Sequence, residues 1–289
     1  MRAVARQRLF RFGLASLPIA WTVVFMFVPY AVMLTYSFYT KKFPLFVPDF
    51  QFGNYLTLIN DIQYRQVFLR TLKIALMVSA FALLLAYPVA YCLVFKIKSA
   101  RLRLGLYMAI IVPLWVSYLL RAYTWKTILG SQGVLNSFLV YTGILSQPTD
   151  LFLYSQLAII ITLVHIFIPF MFMPIFTSLE KIPRSLIEAS HDLGVGRLWT
   201  FLKVTLPLST PGIVAGITFT FCLSFGDFIA PFLVGGPDGF MIANIVQSQF
   251  GTALNWPLGS AISMAILAIV LIVITISDRF ERAGRLDLG

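Results

Sequence analysis

Long runs of apolar residues alternate with short polar and charged stretches along nearly the whole chain. Leu14–Phe38, Ile74–Phe95, Leu104–Leu120, Leu151–Leu179, roughly Ser209–Leu233 and Leu258–Ser277 are the apolar runs. A helix needs about 20 such residues to cross the hydrocarbon core, so each run predicts a membrane span. Leu104–Leu120 is short, and its helix is expected to run past Arg121 toward Ile128. The first run far exceeds the 7–15 residues of a signal-peptide core. No Ala-x-Ala pattern follows it, so a retained span is expected, with Pro18 and Pro29 as possible kinks. Tyr39–Lys73, Ser131–Asp150 and Gly235–Pro257 then read as exported connections. The pattern predicts an all-α membrane protein: a basic N-terminus over 1–13, six transmembrane helices within 14–277, and a short charged tail over 278–289.

One interior stretch breaks the pattern. Ile182–Pro207, IPRSLIEASHDLGVGRLWTFLKVTLP, is built to face water although it lies between two spans. Pro183 suits the first turn of a helix, and Gly194 suits the left-handed position after its last turn. At 100° per residue, Leu186, Ala189, Ser190 and Leu193 share one face, and Arg184, Glu188 and His191 share the opposite one. A second short helix is expected from Arg197 to about Thr205, ending ahead of Pro207. Two readings are open: a solvated amphipathic loop, or a docking surface for a partner outside the membrane.

Composition narrows the class. Hydrophobic residues make up 59% and charged residues 11% of the sequence. Mean hydropathy is +0.88. A soluble domain carries about 25% charged residues. The net charge of +11 would suggest nucleic acid in a soluble protein. Here it is better read through the excess of Lys and Arg in loops on the cytoplasmic side. Arg2, Arg6, Arg8 and Arg11, the 96–103 turn, and Lys181, Arg184, Arg197 and Lys203 all fall on one side of a six-span topology. That side is therefore expected to be cytoplasmic, with both termini.

Enzyme chemistry is poorly supplied. Cys92 and Cys222 lie apart in apolar runs, and His165 and His191 are the only histidines. No paired carboxylates, H-E-x-x-H, G-x-S-x-G or P-loop pattern is present, so no metal, catalytic group or ATP site is expected in this chain. Several residues still stand out. Asp227 falls inside the fifth run, where a carboxylate is costly and rarely faces lipid. It would either hold a passing cation or serve structurally, pairing with a partner's Arg or capping a helix break near Gly226. Tyr123 and Trp125 could attract an ammonium group, or they could form, with Arg121, an interfacial aromatic belt. Asn244 and Trp256 would line an outer vestibule, meet a partner, or belong to an ordinary loop. His165 reads as a helix contact.

Glu188-Ala189-Ser190, then Gly194 after three residues, then Val204-x-Leu206-Pro207 after nine more, match the EAA motif of ABC importer permeases. Ser stands for the second Ala and Val for Ile. The chain resembles the first permease subunit of spermidine/putrescine-type importers. Further matching points are Pro113-Leu114-Trp115, Arg121-x-Tyr123-x-Trp125, Gly133-x-Leu135-Asn136, Gly235-Gly236, Asn244 and Asn255-Trp256-Pro257. The resemblance implies the type I ABC importer permease fold, with the 182–193 helix as a cytoplasmic coupling helix. It also implies a heterodimer with a second permease, two cytoplasmic ATPase subunits that bind ATP and Mg, and an exported solute-binding protein. Polyamine is the leading substrate. The alternative class is a secondary transporter or channel that works alone, which the absence of a visible repeat disfavours.

Overall fold

The computed structural model describes residues 16, 18–42 and 44–286, with the backbone alone for 281–286. The expected basic N-terminus 1–13 and the last three residues of the tail lie outside the described residues. Helices dominate the order: α1 Pro18–Tyr36, α2 Gly53–Asn60, α3 Ile62–Lys96, α4 Ala100–Trp115, α5 Tyr118–Leu129, α6 Val134–Tyr141, α7 Gln156–Glu180, α8 Arg184–Asp192, α9 Arg197–Phe225, α10 Ile229–Val234, α11 Ile242–Phe250 and α12 Trp256–Leu286. A hairpin of β1 Thr40–Lys42 and β2 Leu45–Val47 follows α1, with Lys41 opposite Phe46. Among the described residues, five helices are long and apolar enough to cross a membrane. The bent pair formed by Ala100–Trp115 and Tyr118–Tyr141 would make a sixth crossing.

The chain divides into two compact units, Met1–Ile62 with Val246–Leu267, and Gln63–Ile245 with Ala268–Gly289. In the first, Asn54 Nδ2 donates to the carbonyls of Ser37 (2.8 Å) and Tyr39 (2.9 Å), fastening α2 beneath the hairpin. Lys41 Nζ donates to the Ala253 carbonyl at 2.6 Å. Trp256 packs against Tyr36, Phe46 and Phe250, with ring centroids 6.0–6.4 Å apart. The long apolar side chains of α1 are exposed, as suits a helix whose neighbour is lipid rather than protein.

The second unit is built around α7. Ile159, Leu163 and Ile166 pack with Ile74 and Val78 of α3, Leu129 of α5 and Leu233 of α10. One turn further along, Met171, Phe172 and Ile175 pack against a row of small residues on α3, Ala82, Ala86 and Ala90. On the other flank, α9 meets α7 closely because Gly212 and Gly216 present no side chain. A Cβ on Gly212 would lie 2.5 Å from the Pro174 carbonyl oxygen, and one on Gly216 would lie 2.8 Å from Met171 Sδ. Small residues four apart let membrane helices approach in this way.

The structure corrects several expected boundaries. The third run does not continue straight past Arg121: the chain bends by 97° between Trp115 and Tyr118. Pro113 sits in a tight turn over Val112–Trp115, and Val116 and Ser117 are extended. The fifth helix ends at Phe225 rather than Leu233. The connection after it contains α11, and the sixth helix extends well beyond Ser277. Pro207 does not end a short helix either, because Arg197–Phe225 is continuous. The reason lies one turn back. A proline ring clashes with the carbonyl four residues earlier, and Lys203, at that position, lies in a wider π-turn over Phe201–Thr205. Such a turn relieves the clash. Pro29 in α1 is preceded in the same way by a π-turn over Val23–Phe27.

Candidate functional site

The polar segment before α9 folds into two helices that meet at a tight reversal. Pro183 is extended (φ −60°, ψ 130°) and stands just before α8 rather than within its first turn. At the other end Gly194 adopts φ +75°. Its N–H donates to the His191 carbonyl at 2.9 Å, and the Val195 N–H donates to the Ser190 carbonyl at 3.1 Å. This is the Schellman pattern, which satisfies the last carbonyls of a helix and calls for glycine at the left-handed position. Ser190 is buried, and its Oγ lies 2.9 Å from Thr200 Oγ1, joining α8 to the first turn of α9. Ile182 anchors the approach in the core beside α7.

The faces of α8 separate cleanly. Leu186 is 46% and Leu193 83% exposed, and Ala189 between them is exposed as well. Ser190, expected on that face, sits at its edge and turns inward. Arg184, Glu188 and His191 border a recess against Tyr91, Phe95 and Lys96 at the end of α3. Arg184 Nη2 donates to the Val94 carbonyl at 3.4 Å. Leu186, Ala189 and Leu193 thus offer apolar contacts outward, beside exposed Ser185 and Asp192, and the charged face looks partly back at the chain's own α3. At the foot of α9, Lys203 Nζ stands 5.0 Å over the Trp199 ring.

The second constellation surrounds the break after α9. Asp227 is 9% exposed. Its Oδ1 accepts the Ala230 N–H at 2.9 Å and so caps α10, while its Oδ2 accepts the Tyr118 hydroxyl from the start of α5. Asn244, 5% exposed, works in the same way: Oδ1 accepts the Met241 N–H at 3.0 Å, and Nδ2 donates to the Phe228 carbonyl at 2.7 Å. Thr71 Oγ1 of α3 accepts the Ile242 N–H at 2.8 Å, and Arg70 Nη1 donates to the Asp238 carbonyl. Side chains of this unit thus hold the interruption at several points. Of the two structural roles considered for Asp227, the structure displays the helix cap.

The remaining candidates lie around this core. Arg121 Nη1 donates to the Ile166 carbonyl at 3.2 Å, and its Nε is buried without a partner. Trp125 faces the His165 ring at 5.4 Å, so His165 is a ring contact. Tyr123 is exposed. Asp227 and Asn244 therefore come together, each bonded to the 227–230 stretch, and Tyr118 joins Asp227 from the turn of α5 that leads to Arg121. Asn244 is a buried internal cap of the connection rather than an exposed loop residue. Trp256 belongs to the aromatic cluster of the other unit. Sequence reasoning missed Tyr118, Thr71 and Arg70, which carry no local signal. It also missed Gly212 and Gly216, whose Gly-x-x-x-Gly spacing was available to be read.

A bundle of membrane-length helices with an EAA-type helix pair projecting before the fifth defines a permease of the type I ABC importer fold. Solved structures agree. A bacterial ABC transporter involved in import of the acidic polysaccharide alginate matches with TM-score 0.75 at 19% identity, over 98% of this chain and 98% of that one. The chain belongs to the family of binding-protein-dependent transport system inner membrane components, which matches residues 64–283. It is similar to the spermidine/putrescine transport system permease protein PotB of Escherichia coli, at 35% identity over 269 residues, 93% of this chain and 95% of that protein. It is similar as well to the inner membrane ABC transporter permease protein YdcU of the same organism, at 35% identity over 93% of this chain and 88% of that one. These findings favour a permease subunit over a transporter or channel that works alone.

Proposed function

We propose that this permease carries polyamines, or closely related organic cations, as one half of a heterodimer with a second permease. An exported solute-binding protein delivers the solute, and two cytoplasmic ATPase subunits bind ATP and Mg and drive the cycle; this chain itself holds no cofactor. Residues 1–13 and 278–289 flank the 14–277 permease region on the cytoplasmic side, together with the 182–207 segment. The substrate class rests on the similarity to spermidine/putrescine permeases.

The observation that carries the coupling reading is the exposed face of Leu186, Ala189 and Leu193 on a helix closed at Gly194. An amphipathic helix that offers apolar anchors to the outside seats in a partner's groove. Glu188 and His191, exposed on the opposite face, pair with charges at the groove's edge. Ser190 and Pro207 act within the chain: one fixes α8 to α9, and the other lies where α9 continues into the membrane. Alternating access then follows from rocking α9 and its neighbours as the ATPases close. Along the path, Asp227, Tyr123, Trp125 and Arg121 shape the outer half, with Asn244 bracing it and Trp256 on the exported side.

The test is uptake of labelled spermidine into vesicles holding the complete transporter. Leu186→Asp with Leu193→Asp should abolish ATP-driven uptake and release the ATPase from the membrane. If the ATPase stays bound and uptake continues at the wild-type rate, the docking assignment fails.

A further inference from the structure

The recess behind α8 carries positive charge that the docking of its outer face leaves unused. Three elements wall it: Tyr91, Phe95 and Lys96 at the end of α3; Arg184, Ile187, Glu188 and His191 of α8; and Arg197, Thr200 and Thr205 at the start of α9. Its volume is about 230 Å³, several times the roughly 30 Å³ share of one water. Lys96, Arg184 and Arg197 bring three positive charges, against the single carboxylate of Glu188. Among the described residues none of these four is engaged in an ion pair. Arg184 spends one nitrogen on the Val94 carbonyl and keeps the others. Phe95, Ile187 and the Tyr91 ring, which stands edge-on to Phe201 at 5.8 Å, give the lining its apolar part.

Such a cavity is matched to a ligand that is anionic at one end and apolar at the other. It is walled by the end of α3 and the start of α9, where Lys96 and Arg197 flank the apolar runs of those helices. Basic pockets between membrane helices on the cytoplasmic side bind acidic headgroups in this way. An unattached phosphate ion shares the charge but has no use for the apolar wall. We infer that the recess is a binding site for the phosphate of an acidic phospholipid, which braces α8 from behind while its outer face holds the ATPase. The inference rests on the reading that puts α8 on the cytoplasmic side.

Native mass spectrometry of the complete transporter, extracted from its own membrane, counts retained acidic phospholipids and reports subunit assembly in the same spectra. Lys96→Gln with Arg197→Gln removes two charges from the recess. Lys98→Gln with Arg101→Gln removes two from the same basic region outside it. Each Lys or Arg near an acidic surface contributes roughly fivefold in affinity, so the recess variant should bind about 25-fold more weakly. The expected result is loss of one retained acidic lipid per copy of this chain in the recess variant, with the control variant keeping it. In phosphatidylcholine vesicles, cardiolipin should stimulate the ATPase of the wild type and the control but not of the recess variant. Equal lipid counts in all three proteins overturn the inference. Stimulation of the wild type in pure phosphatidylcholine by inorganic phosphate alone overturns it as well, in favour of a free-ion site. Failure of the ATPase to co-extract would instead count against the transport reading, and the lipid count would still be read on the permease.

Discussion

The turn at Gly194 and the break at Gly226–Phe228 are both places where a helix stops and the chain starts another, and they are solved by opposite means. At Gly194 the backbone closes on itself: two N–H groups bond to carbonyls three and five residues back, and water reaches what is left. At the second break, Asp227 supplies its own side chain, and those of Asn244 and Tyr118 reach in from elsewhere in the chain. The reason is the solvent. An exposed helix end can leave carbonyls to water, whereas a buried end must find its partners in the protein. The first solution is local and the second is distributed, so they should fail differently when altered.

The largest effect is expected at the local turn, and on function only. Gly194→Val places a β-branched residue at φ +75°, where L side chains are strained. Nothing stands within 4 Å of an added Cβ there, so the bundle itself has no clash to absorb. Spermidine uptake should fall to background while the amount of protein in the membrane stays unchanged. Equal loss of protein and uptake would mean that the turn is part of the bundle's stability.

The buried break should show the reverse. Asp227→Ala strands the Ala230 N–H and the Tyr118 hydroxyl, at about 1–3 kcal/mol for each unsatisfied buried group. Thermal unfolding in detergent should reveal a markedly less stable protein. Asp227→Asn keeps one acceptor and should lose less. If it also lowers uptake of cationic solutes more than of neutral ones, the carboxylate meets the substrate; equal effects leave it with the cap alone. A double-mutant cycle of Tyr118→Phe with Asp227→Ala should return a coupling of about 1–3 kcal/mol, as for a buried hydrogen bond. Additive losses would dissolve the link. The smallest change belongs to Ser190→Ala. Thr200 Oγ1 still reaches the Gly196 carbonyl at 3.3 Å, so the loss in unfolding free energy should stay near 1 kcal/mol.

The same contrast explains what could be read from the chain beforehand. Pro183, Gly194 and the spacing between them announce α8 and its reversal, because a Schellman turn is written in consecutive residues. The membrane spans are legible for the same reason, as runs of apolar residues. Asp227 could be picked out as a costly residue, but its partner Tyr118 lies 109 positions away and looks like any membrane tyrosine. Pro207 misled because the π-turn that accommodates it leaves no compositional mark. The bend near Pro113 was hidden too: the apolar run continues through Val116, and hydropathy carries no record of direction.

Counted at 1.5 Å per residue, the 29 residues of Arg197–Phe225 measure about 44 Å, the full depth of a bilayer with its headgroups. A tilt of about ten degrees around the Trp199–Lys203 base would therefore sweep the Phe225 end through roughly 8 Å. Since α9 runs unbroken to that end, such a stroke meets its earliest interruption at the capped carboxylate. Geometry alone thus turns a small push near the base into an excursion longer than the width of a water molecule on the opposite side.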